Sequence, residues 1–222
     1  MKMEATWDGL KYFVEDEIFQ YHINNGFSEP YPRELKLVKS YMSAFPERNN
    51  IYIDVGGHVG TTSLPYSSLY KEVIAFEPNP VSYGLFKKNI HINNIKNVKI
   101  YNKGVYNKTT DCIIAKHGSN SGCYYIKECE KSGETIPVIK LDDLTYDNPV
   151  DFIKIDTEGS ELFVLEGAYN VISKNKPLIN IETNGLSGRY FGYNKERIFE
   201  FLHALGYKIW DDDGNNPLFY CS

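Results

Sequence analysis

Residues 51–70 read IYIDVGGHVGTTSLPYSSLY. β-Forming residues run through Asp54 and Val55, three glycines (Gly56, Gly57 and Gly60) follow at once, and a segment of helical spacing comes next. A chain without Cβ atoms can turn sharply at a strand end and lets a ligand come close to its backbone. Strand, glycine turn and helix in that order open an α/β sheet, and the rest of the chain can be read outward from there.

Counting NIYIDV (50–55), the chain carries β-rich runs at EVIAFE (72–77), VKIYN (98–102), DFIKID (151–156), PLINIE (177–182), YKIW (207–210) and PLFYC (217–221). The first five are apolar nearly throughout, the pattern of parallel strands buried on both faces. Between the runs, TTSLPYSSLY, NPVSYGLFKKNIHINN, SELFVLEGAYNVIS and NKERIFEFLHALG carry apolar residues at helical spacing. In the last of these Ile198, Phe199, Phe201, Leu202 and Leu205 form one stripe, and Gly206 stops it. Asp213-Gly214 in WDDDGNNPLFYC is a turn between the last two runs, so the sheet is expected to end in an antiparallel hairpin.

Two regions depart from this alternation. Residues 103–140 read as short antiparallel strands joined by Gly/Ser/Asn turns, a small β insertion or lid beside the glycine turn. Residues 1–48 read as an N-terminal cap: GLKYFVEDEIFQYHI fits a β-ribbon or a helix, and SEPYPRELKLVKSYMSAF a capped helix against the sheet edge. The SEPYPRE lead-in either caps that helix or reaches over a ligand pocket. With 222 residues, 42% hydrophobic and 24% charged, the chain is expected to be one domain over 1–222.

The net charge of -5 and the scattered Lys and Arg argue against nucleic acid as a partner. Cys112, Cys123, Cys129 and Cys221 form no CxxC pair, so thiols in a reducing compartment are expected rather than a zinc or disulfide framework. No run approaches the roughly 18 apolar residues of a membrane span. The start MKMEATWDGLKYF has no signal-peptide pattern, so the expectation is a soluble, cytoplasmic protein. No internal repeat is present, and oligomeric state stays open.

In an open parallel sheet, ligands collect at the carboxyl ends of the strands near the switch in strand order. Glu77 ends the second run, where an acidic side chain can take both hydroxyls of a ribose, so it and the glycine turn together point to a nucleoside-bearing cofactor. A dinucleotide fingerprint is G-x-G-x-x-G, whereas here the order is G-G-x-x-G, preceded by Asp54.

That Asp-x-Gly-x-x-x-Gly order resembles the first motif of class I methyltransferases that use S-adenosylmethionine. DVGGHVG, AFEPNP, NKGVYN, VIKLDDL, IKIDTEGSELFVLEGA and INIE stand in the order and rough spacing of the FkbM family, over about residues 50–183. Asp156, Glu158, Gly159 and Glu161 form its most specific element. The resemblance implies an α/β, Rossmann-like class I methyltransferase fold, a mostly parallel seven-stranded sheet with a C-terminal antiparallel hairpin and a small β insertion. It implies S-adenosylmethionine as cofactor, with Asp54, Gly56, Gly57 and Gly60 shaping its loop, Glu77 on the ribose, and Asn79 beside it. Where the family has Ala-Asn, this chain has Gly57-His58. His58 either contacts the cofactor carboxylate or fills the turn with its ring outward. Asn102, Lys103 and Gly104 either hold the adenine or make an ordinary β-turn.

Asp156 and Glu158 end the fourth run, across from the expected sulfonium, where carboxylates can complement its charge, orient an acceptor hydroxyl, or take the hydroxyl's proton. Glu182 and Asn184 could join Asp156 around a divalent cation such as magnesium or calcium, as in catechol-type methyltransferases. His117, in KHGSNSG, is either a surface histidine or a base carried by the lid. The tyrosines of GCYYIK and GRYFGYN either pack in the core or form a platform for a sugar. The expected reaction is O-methylation of a small-molecule or glycan acceptor, a sugar hydroxyl of a glycan or glycolipid. The rivals are an NAD-type oxidoreductase and a catalytically silent nucleoside-binding module.

Overall fold

The computed structural model of the protein describes residues 3–25, 31–116, 118, 121–127 and 135–221. The chain opens with a hairpin, β1 (Met3–Trp7) and β2 (Leu10–Val14), followed by helices α1 (Glu17–Asn24) and α2 (Tyr31–Ala44). Asp8 (φ 49°) and Gly9 (φ 74°) turn the hairpin in the left-handed region that tight two-residue loops need. The early segment thus forms ribbon and helix in succession. Asp16 separates them, because its side chain accepts the Phe19 N–H at 2.8 Å and starts α1. Of the SEPYPRE lead-in (28–34), residues 28–30 lie outside the described residues and 31–34 form the first turn of α2.

Next come β3 (Ile51–Val55), α3 (Ser63–Tyr66), β4 (Glu72–Phe76), α4 (Pro80–Ile92) and β5 (Val98–Tyr101). A separate four-stranded sheet follows, built from β6 (Gly104–Val105), β7 (Thr110–Lys116), β8 (Tyr124–Lys127) and β9 (Thr135–Ile139) in the order β6–β9–β7–β8. The chain then returns through β10 (Val150–Ile155), α5 (Glu161–Gly167), α6 (Tyr169–Asn175), β11 (Leu178–Ile181), α7 (Leu186–Phe191), α8 (Lys195–Ala204), β12 (Lys208–Asp211) and β13 (Leu218–Tyr220).

The central sheet has seven strands in the order β12–β13–β11–β10–β3–β4–β5. From β11 to β5 every pairing is parallel, while β13 runs antiparallel to both β11 and β12. The chain winds outward from β3 to β5 and then crosses to β10 on the other side of β3. The switch in direction therefore lies between β3 and β10, and a crevice opens above their carboxyl ends.

Both sheet faces are covered. Ile51, Ile53, Ile153, Ile155 and Ile179 pack with Val164, Leu165 and Ile172 from α5 and α6, while Tyr52, Phe152 and Leu178 pack with Val38 of α2 and Tyr66 of α3. The hairpin is fastened to α4 through Asn89, which accepts from Phe13 N–H at 2.7 Å and donates to the Val59 carbonyl at 2.9 Å.

The helix expected over 61–70 is a single turn. Pro65 lacks an N–H, and the Ser67 and Ser68 hydroxyls donate to the Leu64 and Pro65 carbonyls, a local alternative to further helix. The segment 160–173 is two helices rather than one, broken at Ala168 (φ -116°, ψ 11°), and Gly167 just before it sits against the Tyr106 carbonyl, where no side chain fits. Among the described residues no helix is long and apolar enough to cross a membrane.

Candidate active site

The glycine turn leaves β3 under tight steric limits. Gly56 has φ +90°, and a Cβ there would overlap the Asp156 carbonyl of the neighbouring strand. A Cβ on Gly60, at φ +94°, would meet the Phe86 ring at 2.6 Å. The turn is thereby pressed onto β10 and α4, and the ends of β3, β4 and β10 converge on a cleft lined by Gly56, Gly57, His58, Glu77, Asp156 and Glu158. Phe19, Thr62, Ser121, Tyr124 and Lys154 also line it.

Asp54 does not reach into the cleft. It is fully buried and its Oδ2 accepts from Thr62 Oγ1 at 2.7 Å and Ser63 Oγ at 2.6 Å, tying the strand to the start of α3. Its Oδ1 has no hydrogen-bond partner among the described residues. Burial raises its pKa, partly offset by the Lys154 ammonium.

Glu77 accepts the His58 N–H at Oε2 and the Asn79 N–H at Oε1, both at 2.8 Å. Burial pushes its carboxyl up to about 7. Asn79 spends its own Oδ1 on the Val81 N–H, capping α4. Asn102 donates from Nδ2 to the carbonyls of Glu77 and Pro78, both at 2.9 Å, and so clamps the β4–α4 loop. Lys103 and Gly104 line an adjoining apolar slot with Val55, Phe76, Tyr124 and Ile126.

His58 sits in the turn at φ 47° with its ring edge-on to Phe19 at 4.4 Å. Its Nε2 shares a 2.9 Å hydrogen bond with Ser121 Oγ, and Ser121 N–H donates to Asp16 Oδ2 at 2.9 Å. His58 is half-buried with its Nδ1 enclosed, and desolvation pushes its pKa down to about 4. Nδ1 has no partner among the described residues. His58 is therefore a neutral ring at the meeting point of N-terminal cap, lid and glycine turn. His117 lies outside the described residues.

The Asp-x-Glu-Gly-x-Glu element is a constrained turn. Glu161 Oε1 accepts the Gly159 N–H at 2.8 Å, and Tyr193 Oη donates to the Gly159 carbonyl at 2.6 Å. Glu158 is held at φ 57°, a conformation that costs a non-glycine residue energy. One carboxylate atom each of Asp156, Glu158 and Glu182 lies within 4.8 Å of the others. Burial, reinforced by the Asp156 charge, pushes Glu158 up to about 8 and Glu182 well above the usual range. Burial opposes ionisation of Asp156 too, but the Lys154 ammonium outweighs it and holds that carboxylate low. Asn184 donates from Nδ2 to Glu182 Oε2 at 2.9 Å and to Glu158 Oε2 at 3.4 Å.

Tyr125 of the lid stacks on Tyr190 of α7 at 4.2 Å with an interplanar angle of 16°. Phe19, Thr62 and Lys154 line the cleft without an assignment from the sequence, whereas Tyr124 is one of the GCYYIK tyrosines named there. Lys154 left one signal, a cation flanked by Ile153 and Ile155 inside a buried strand.

A seven-stranded sheet with its one reversed strand next to the edge, a glycine turn at the switch point and an acid ending the second strand define the class I methyltransferase fold. The chain matches the Methyltransferase FkbM domain over residues 54–209 and belongs to that family. A curated protein of Beauveria bassiana (strain ARSEF 2860), Methyltransferase 1, is 23% identical over 162 residues, which is 61% of this chain and 65% of that protein. The structure of an FkbM methyltransferase from Methylobacillus flagellatus KT superposes with a TM-score of 0.54 at 20% identity, covering 78% of this chain and 44% of that one. TYW2 of M. jannaschii, in complex with AdoMet, superposes at 0.52 and 14% identity over 100% of this chain and 87% of that one. The chain thus spans about two thirds of the curated relative and under half of the FkbM structure.

Proposed function

We propose that the protein transfers a methyl group from S-adenosylmethionine to a hydroxyl of a polyol, a sugar hydroxyl of a glycan or glycolipid. The observation that carries this reading is the pairing, in one cleft, of a nucleoside-type loop built on Glu77 with a carboxylate cluster built on Asp156 and Glu158. The residues present fit the cofactor. Glu77 would take the ribose hydroxyls, the slot of Phe76, Lys103, Gly104 and Tyr124 the adenine, and His58 Nδ1 the methionine end. When bound, the cofactor supplies a methyl group on a sulfonium.

Displacement at carbon needs the acceptor oxygen held in line behind the methyl, so alignment carries most of the barrier reduction. Asp156 orients the acceptor hydroxyl. Glu158, held near 8, takes its proton at a pH where both of its forms are populated. The Tyr125–Tyr190 stack offers an aromatic face to the C–H face of a sugar. A base from His117 remains part of the proposal as a second proton acceptor. Neighbours of this fold include the tRNA (uracil-54, C5)-methyltransferase of Pyrococcus abyssi. A net charge of -5 and acids around the cleft favour a neutral polyol over a polyanion here.

Calorimetric titration with S-adenosylmethionine, S-adenosylhomocysteine and NAD tests the cofactor. Micromolar binding of the first two alone is expected, and binding of NAD alone overturns the reading. Methyl transfer to a panel of glycans, nucleosides and tRNA then tests the acceptor; labelling confined to tRNA would overturn the polyol assignment.

A further inference from the structure

Lys154 stands in β10 between apolar neighbours, on the sheet face it shares with Asp156. Strand register sets it beside Asp54 of β3 and Asn180 of β11. Its side chain is 4% exposed, and Nζ donates to Asp156 Oδ2 at 2.7 Å. Its charge also acts on Asp54, on Glu34 of α2, and on Glu158 and Glu182. One ammonium is thus buried among five acids.

Asp156, Glu158 and Glu182 have the spacing of a cation site, but one oxygen of each carboxylate already accepts a hydrogen bond. The ammonium holds one Asp156 oxygen. Asn184 turns its Nδ2 toward Glu182 and Glu158, because its Oδ1 accepts the Leu186 N–H at 3.0 Å. Asn184 therefore offers the cluster hydrogens where a metal needs oxygen. A magnesium or calcium ion binds oxygen at about 2.0–2.6 Å, which would place it against the ammonium at the same carboxylate. Two cations that close, with little water between them, repel strongly.

We propose that Lys154 is the resident cation of this cluster, a positioning residue whose ammonium takes the place of a divalent ion and fixes Asp156. Its consequence for turnover rests on the methyl-transfer reading above; the exclusion of metal does not. With Lys154 in place the acids stay together at the strand ends, and Asp156 keeps one orientation toward the acceptor.

The test is Mn²⁺ titration of the full chain, followed by electron paramagnetic resonance, with wild type, Lys154→Met and Lys154→Arg. Wild type should leave Mn²⁺ free up to roughly millimolar concentration. Lys154→Met should bind one Mn²⁺ at least tenfold more tightly, and Lys154→Arg should exclude it again, which a purely structural lysine would not produce. Micromolar Mn²⁺ binding by wild type overturns the proposal, as does a folded Lys154→Met that binds no better than wild type. Should Lys154→Met lack a native circular dichroism spectrum, Lys154→Gln replaces it, and the wild-type titration decides in either case. S-adenosylhomocysteine calorimetry on the same samples separates the two readings. Silence there with the expected Mn²⁺ pattern removes the methyl-transfer reading and leaves the cation assignment standing.

Discussion

At Glu77, burial and two backbone N–H donors act in opposite directions, and burial wins, lifting the carboxyl from its ordinary 4.5 to about 7. Between those values the folded protein keeps a proton that the unfolded chain has lost. The resulting stability is fully present below about pH 4.5 and is lost as pH rises through about 7, a span worth up to about 3 kcal/mol. Urea unfolding of wild type and Glu77→Gln at pH 5 and pH 8 checks this: the wild type should lose stability relative to the variant as pH rises. For binding, Glu77→Ala should weaken S-adenosylhomocysteine by about tenfold to a hundredfold, the loss of one or two charge-assisted hydrogen bonds, with the fold retained. Unchanged affinity in calorimetry would take Glu77 out of the cofactor site.

Elements bring these residues together through short polar clamps. Asn102, just past β5, carries two hydrogen bonds to the loop between β4 and α4. Asn102→Ala should cost about 1–3 kcal/mol and lower the melting temperature, because two part-buried carbonyls lose their donor. Cofactor affinity should fall with it; an unchanged melting curve would show that the loop holds itself. The lid depends on Ser121, whose hydroxyl meets His58 and whose N–H meets Asp16. Ser121→Ala keeps the backbone bond and removes the hydroxyl. Hydrogen exchange over residues 17–24 should then speed up, and bound S-adenosylhomocysteine should leave about fivefold to tenfold faster. Equal exchange in both proteins would mean that the cap and lid are not coupled through this serine.

Over the whole molecule, one domain is proposed for the chain. Its two tryptophans lie far apart in the architecture: Trp7 packs with the cluster under α4, and Trp210 sits on the outer strand β12. Trp7→Phe and Trp210→Phe each leave one reporter. Their fluorescence unfolding midpoints in urea should coincide once each variant's own stability is measured by circular dichroism. A Trp7 signal that melts ahead of the secondary structure would make the N-terminal hairpin a separate unit.

The parallel part of the sheet was legible because its strands read as short apolar runs, five of which lie where the parallel strands are, and the Asp213-Gly214 turn marked the last two runs as a hairpin. The glycine turn was legible for a steric reason: Gly56 and Gly60 stand where any Cβ would strike a neighbour. Glu77, Asp156 and Glu158 could be named because acids at strand ends have a place set by topology alone. The single turn at 63–66 was not legible, since the serine hydroxyls that end it compete locally with helix. The linear motif does not tell that Asp54 Oδ2 accepts from Thr62 and Ser63, or that Asn79 Oδ1 accepts from the Val81 N–H. Lys154 among five acids, Ser121 on His58 and Tyr125 on Tyr190 join residues far apart in the chain. Periodicity reports which face a residue occupies; only the register of strands and the packing of lid on sheet decide which charges and rings meet across it.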